Sequence, residues 1–301
     1  MLDEALRRRL EVLNRGEMPA ESVQSVVAQV AVLPLAKASS PLTDLPRAEI
    51  GKPIPGILKL GEVVETSAGA HLRICVPIDR LWSNGSQLVA GRHAHLHQRL
   101  AESRQAVEPT VVMEAEFAAL VAALPERAML LDLETCGLGG AALFLAGVLR
   151  QVEGVPTVEL LMARNYAEEQ AVLESLWQIV ASQEVLVTFN GKAFDWPMVL
   201  DRSARYRMVP RVAGDAAKLQ HIDILHHARR RWRRQLPDCR LQTLEQLVCR
   251  RRRSGDIAGH RIPAAYAEYV RTGFEREMEA ILYHNAMDLV TLLDLSLRIA
   301  G

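Results

Sequence analysis

Two carboxylates, Asp132 and Glu134, interrupt the apolar stretch MLLDLETCGL between residues 129 and 138. A short apolar run of this kind reads as a buried strand, and on a strand residues two apart leave the same face. Both acids then project from one side of a sheet, where repulsion and desolvation disfavour them. A hard divalent cation between them removes both penalties, and oxygen ligands suit magnesium or manganese. The competing reading is a pair of solvated acids at the open end of an edge strand, so the case rests on residues further along the chain.

Two more acids stand in positions of the same kind. Asp195 comes after a strand-like run (185–189) and the turn Asn190-Gly191, at the start of a helix. A helix cap followed by Pro197 in the first turn would explain it; strand ends and helix starts are also where α/β sheets place their sites. Asp288 lies at the edge of a strongly apolar helix that holds Leu289, Val290, Leu292, Leu293, Leu295, Leu297 and Ile299. His284 is one turn earlier on the same helical face. An acid beside that much apolar surface needs a partner, either a metal ion or an ordinary cap or surface His–Asp pair.

The elements that must position these groups come in a mixed α/β order. A short helix over 114–124 precedes the 129–134 strand. Apolar runs at 142–149 and 157–162, separated by Gly-containing turns, predict an antiparallel meander. Helical spacing over 166–182, a strand at 185–189 and further helices complete a main domain of residues 106–301. Residues 1–105 differ: a charged helix over 2–14, an Ala/Val-rich segment over 20–35, a Pro/Gly/Ser-punctuated loop, and a hairpin pattern in GEVVETSAGAHLRICVPI. They are expected to form an N-terminal extension or a small β module. His93, His95 and His97 alternate as three imidazoles on a strand would, but no Cys or carboxylate nearby completes a zinc set, and a structural or exposed role is expected.

Composition matches a soluble globular chain: 49% hydrophobic and 24% charged residues, with net charge zero. No apolar run reaches the roughly 18 residues of a membrane span. The charged N-terminus lacks a signal-peptide core, and the four cysteines (75, 136, 239 and 249) form no CxxC pair, so a reducing cytoplasm is expected. Charge is unevenly placed. Residues 218–261 hold twelve Lys or Arg against four Asp or Glu, an excess of eight concentrated at 229–234 and 250–253. Such a stretch is either a phosphate-backbone footprint or a solvated helix face. Trp232 within it either stacks on a base or packs in the core, and packing is the expectation.

The four acids and their histidine, taken in order, resemble the DEDD superfamily of ribonuclease H-like 3′–5′ exonucleases. LDLETCGL is similar to its first motif, FNGKAFDWP to its second and YHNAMD to its third, over residues 126–298. The long segment HIDILHHARRRWRRQLPDCRLQTLEQ with GDIAGHRIPAAYAEYV resembles a narrower group, the bacterial YprB-type ribonuclease H-like proteins. The resemblance implies a mixed five-stranded sheet flanked by helices, with the fifth strand at HIDIL and Asp223 in it. It implies two-metal phosphodiester hydrolysis, with two Mg²⁺ or Mn²⁺ ions held by Asp132, Glu134, Asp195 and Asp288 and with His284 as general base. The implied substrate is DNA or RNA, as single strands or 3′ ends, with Asn190, Lys192, Arg229, Arg230, Arg231, Arg233 and Arg234 as candidate contacts. One departure stands out. The superfamily places Tyr four residues before the last Asp in one branch and His five before it in another, whereas here His284 is four before and Tyr283 five before. A catalytically inactive nucleic-acid-binding protein of the same fold is the alternative.

Overall fold

A computed structural model describes residues 50–51, 53–105, 113–137, 141–208, 214 and 218–301. The described residues belong to one compact unit, Arg47–Gly301, distinct from Met1–Pro46. The helix expected over 2–14 and the segment 20–35 lie outside the described residues.

A two-residue strand, β1 (Ile50–Gly51), pairs in parallel with β9 (Arg252–Arg253). The remaining strands make one mixed sheet. They are β2 (Glu62–Thr66), β3 (Gly69–Pro77), β4 (Ala128–Thr135), β5 (Leu143–Val152), β6 (Val155–Met162), β7 (Val185–Thr188) and β8 (Gln220–Asp223), in the order β2-β3-β6-β5-β4-β7-β8. β4, β5 and β6 form the expected antiparallel meander, and β4-β7-β8 run parallel. The five strands β4 to β8 are the five that the resemblance implied. The sheet is wider by two, because the hairpin β2-β3 pairs β3 antiparallel to β6 from Leu72 opposite Met162 to Pro77 opposite Thr157. Residues before 106 therefore extend the same sheet that carries the acids.

Among the described residues, eight α-helices flank it: α1 (Gly85–Gln105), α2 (Ala115–Ala123), α3 (Glu169–Val180), α4 (Asp195–Arg205), α5 (Ile224–Trp232), α6 (Leu241–Leu247), α7 (Ile262–Thr272) and α8 (Glu275–Ala300). Burial of seven consecutive residues of β5, Leu143–Leu149, is the consequence of cover on both faces. α8 packs on β4 and β5 from one side, and α3 packs on β3 and β5. At 26 residues, or roughly 39 Å, α8 is the longest element among the described residues and is buried nearly all round. A helix so apolar on every side belongs inside a core. None of the helices among the described residues is long and apolar enough to cross a membrane.

Two buried carboxylates in this core are each held by several partners. Asp294 of α8 bonds Arg92 of α1, Arg251 at 3.2 Å and Arg298 at 2.8 Å. Arg251 also lies over the Trp82 ring, 4.6 Å from its centroid. Glu169, at the start of α3, accepts the Leu143 N–H at 2.7 Å, the Arg202 Nε at 2.7 Å and the Tyr206 hydroxyl at 2.8 Å. Removing one partner of such a buried pair strands the other's charge. Arg202→Ala is expected to destabilise the fold by about 3–5 kcal/mol, measured by urea denaturation.

Candidate active site

The acids gather where β4 and its parallel neighbour β7 end. Asp132 and Glu134 lie in the second half of β4, two residues apart and so on one face. Gly147 of β5 is the register partner of Asp132. A Cβ at Gly147 would overlap Oδ1 of Asn285, so glycine lets α8 come close enough for its asparagine to reach across. Asn285 Nδ2 donates to the Asp132 carbonyl at 3.1 Å and to its Oδ2 at 2.8 Å.

The turn after β7 delivers the third acid. Asn190 has a left-handed φ of 66°, and a Cβ on Gly191 would overlap the Thr188 side chain. Asp223, at the end of β8, holds the turn by accepting the N–H groups of Asn190 at 2.8 Å and Lys192 at 3.2 Å. It also caps α5 through Leu225 N–H at 3.1 Å. Asp195 is the first residue of α4 rather than its cap, which is Phe194. Its Oδ1 instead accepts the Leu133 N–H at 3.2 Å, tying α4 to β4 between the two strand acids.

α8 supplies the fourth acid and the histidine. Nε2 of His284 is 3.4 Å from Oδ2 of Asp288, and its Nδ1 is 2.6 Å from Oδ1 of Asp256. Asp288 Oδ1 accepts a hydrogen bond from Arg253. Tyr283, next in sequence, turns into the core instead: it is fully buried and its hydroxyl lacks a hydrogen-bond partner among the described residues. Helical phase brings the residue four before the acid, not the one five before, to the site.

Crowded carboxylates shift one another's protonation. Burial, then the charges of Asp288, Glu134 and Asp195, raise Asp132 well above the usual carboxylate range, with Arg253 opposing. Glu134 is pushed up to about 8 by burial, against His284, with Asp288 and Asp195 adding to the rise. Asp195 is raised to about 7 by burial, against its backbone hydrogen bonds. His284 is raised to about 9: burial pulls it down, but Asp288, Asp256 and Glu134 together outweigh that. Oxygen donors that cannot all ionise without added positive charge form a donor set suited to a hard divalent cation. Asp132, Glu134, Asp195 and Asp288 would hold it. As they stand, no three His, Cys, Asp or Glu side chains among the described residues enclose an ion position.

A model of the RNase H superfamily matches residues 129–299, more than half of the chain. The chain belongs to the RNase H superfamily. It is also similar to YprB of Bacillus subtilis (strain 168), an uncharacterized protein, with 34% identity over 168 residues. That match covers 54% of this chain and 40% of YprB, so the chain spans less than half of this relative's length. The superfamily match takes in all four acids and His284 of this RNase H-like chain.

The structure brings Asp132, Glu134, Asp195, Asp288 and His284 together, with Asn190 and Lys192 on the adjoining turn. The arginines are elsewhere. α5 starts at Asp223 and carries them away: Arg230 bonds Glu114 at 2.9 Å, and Arg231 bonds the carbonyls of Arg298 and Ile299 at 3.3 and 3.4 Å. Those carbonyls lie ten and eleven residues beyond Asp288 on α8, about 15 Å along its axis. Arg229, Arg233 and Arg234 are exposed near that end. Trp232 is half-buried against the core, as expected, with Arg231 over its ring at 5.6 Å. His93 to His97 lie on α1, a helix, and His93 Nε2 bonds the Val121 carbonyl at 2.9 Å. Sequence reasoning missed Arg253, Asp256, Asn285 and Gly147. The first two sit in or beside a basic run that reads as surface charge. Asn285 was visible inside YHNAMD, but its direction was not.

This geometry has consequences for stability. Gly147→Ala is expected to cost about 1–3 kcal/mol through overpacking and to displace Asn285, checked by denaturation and by the Asn285 side-chain amide signals in NMR. Asp132, Glu134, Asp195 and His284 have folded pKa values above their unfolded ones, so each contributes stability at low pH that is lost as pH rises through its folded value. In EDTA the melting temperature is expected to fall between about pH 4 and pH 9, set by raised values of about 7, 8 and 9. Mn²⁺ should restore it most at the alkaline end, as seen by differential scanning fluorimetry.

Proposed function

We propose that this chain is a metal-dependent nuclease of the DEDD type, hydrolysing phosphodiester bonds 3′–5′ on single strands or 3′ ends with two Mg²⁺ or Mn²⁺ ions. The observation that supports this reading is the convergence of four carboxylates and one histidine from β4, α4 and α8 at one end of the sheet. When bound there, divalent ions would supply positive charge for the phosphate oxygens and acidify the attacking water.

The chain's own groups have separable tasks. Asp132, Glu134, Asp195 and Asp288 would hold the ions. Asn285 fixes the Asp132 carboxylate, and the Leu133 N–H fixes that of Asp195. Asp256 engages Nδ1 of His284, which leaves Nε2 to accept a proton from water. Neutralising Asp288 and Glu134 removes much of what keeps His284 protonated, so its pKa falls toward the range a general base needs. Exposed Lys192 and Phe194, the latter 59% exposed, flank this site on the turn that leads to Asp195. A cation beside an aromatic face suits a single strand, whose phosphates and bases are both accessible. Arg229, Arg233 and Arg234 would meet only a strand that runs on along α5, about 13 Å.

A second reading, binding without cleavage, is favoured by the Arg253–Asp288 ion pair, which engages one of the four acids. End-labelled single-stranded DNA and RNA in Mn²⁺ separate the two. A ladder shortening from the 3′ end, abolished by EDTA and by Asp132→Asn, is expected; intact substrate with undiminished binding would leave the second reading. His284→Ala is expected to lower the rate on the order of 10²–10⁴-fold. Tyr283→Phe should leave the rate unchanged and stabilise the fold by about 1 kcal/mol, since it removes a buried hydroxyl that lacks a partner. Equal losses in both variants would mean that the general base is misplaced.

A further inference from the structure

Arg253 is the permanent positive charge inside the acid cluster. Its side chain is 4% exposed and reaches three acceptors. Nε donates to Glu245 Oε2 at 2.6 Å, Nη1 to the His284 carbonyl at 3.2 Å, and Nη2 to Asp288 Oδ1. The backbone around it is pinned on both sides. β9, which contains Arg253, pairs with β1. Two residues on, Gly255 turns with a left-handed φ of 71° against Pro53, and Asp256 comes back to His284.

A structural role alone leaves part of this arrangement unexplained. Glu245, 1% exposed, is by itself a sufficient countercharge for a buried guanidinium. The planar fork nevertheless extends past Glu245 to Asp288, the acid that α8 brings to the cluster. Arginine is suited to that task because its fixed donors grip two carboxylates at once. With Oδ1 of Asp288 held in this way, Asp132, Glu134 and Asp195 are the three of the four acids that make no direct ion pair among the described residues, Arg253 and His284 acting on Asp132 and Glu134 only at longer range. All three are tied to β4, the first two by position and the third through the Leu133 N–H.

We propose that Arg253 occupies one cation position of the site, so that the chain free of substrate takes a single divalent ion, through Asp132, Glu134 and Asp195. This rests on the metal-dependent reading above. The guanidinium stands in for the second ion at Asp288, and a second ion gains that carboxylate only by displacing an arginine anchored on Glu245.

The test is calorimetric titration of the full chain with MnCl₂, with free Mn²⁺ followed in parallel by electron paramagnetic resonance. Wild type should bind one ion per chain. The double variant Glu245→Gln/Arg253→Gln, which removes the guanidinium without stranding the charge of Glu245 and leaves Asp288 open to an ion, should bind two. Asp288→Asn should keep the single ion with little change in affinity, whereas Asp132→Asn should weaken it by more than about tenfold. Two ions in wild type, or a loss of more than about tenfold in Asp288→Asn, overturns the assignment of Arg253 and leaves the nuclease reading standing. Should the double variant fail to fold, Asp288→Asn decides. Failure of wild type and every variant to bind Mn²⁺ overturns the metal-dependent reading together with this one.

Discussion

Four carboxylates crowded at the end of a buried strand repel one another, and the surrounding chain is arranged to hold them there. Nothing in their own interaction favours the cluster: burial disfavours each charge, and each neighbour raises the penalty on the next. The fold answers with fixed donors from separate elements. An asparagine holds Asp132, a strand N–H holds Asp195, and an arginine holds Asp288. The residual imbalance is expressed in the raised pKa values of Asp132, Glu134 and Asp195. A site that stores unfavourable charge in this way is poised to gain stability from a cation.

α8 joins this site to the core. One stretch presents His284, Asn285 and Asp288 to β4. Two turns later Asp294 gathers Arg92, Arg251 and Arg298 deep in the interior. Arg251 and Arg253 are two residues apart, yet they serve these two carboxylates on the same helix. The segment 250–253 is therefore partly an internal clasp for α8. That α8 is apolar almost all round allows it to be clasped, because it has no large wet face to turn outward.

The hairpin β2-β3 lies at the far edge of the sheet, four strands away from β7. Its pairing with β6 covers an edge that would otherwise expose unpaired backbone groups. Residues of the N-terminal part thus complete the sheet rather than stand beside it. Segment 50–56 contributes in another way, since β1 pairs with β9 and Pro53 backs Gly255, next to the loop that carries Arg253 and Asp256.

The local pattern was enough to specify the strand and helix order and the meander, and to mark Asp132, Glu134, Asp195, Asp288 and His284 as candidates that only the family resemblance joined into one set. These are properties of periodicity, turn residues and spacing, which act over a few residues at a time. It also separated His284 from Tyr283, because helical phase is local. The width of the sheet was not legible, since pairing between β3 and β6 joins residues as distant in sequence as Leu72 and Met162 by backbone bonds that no side-chain pattern encodes. Nor was the fate of the arginines. The runs 229–234 and 250–253 look alike as composition, but one ends at the far end of α8 and the other enters the acid cluster. Which of two similar charged runs is buried depends on whether buried carboxylates such as Glu245 and Asp288 await it, and only the tertiary structure decides that.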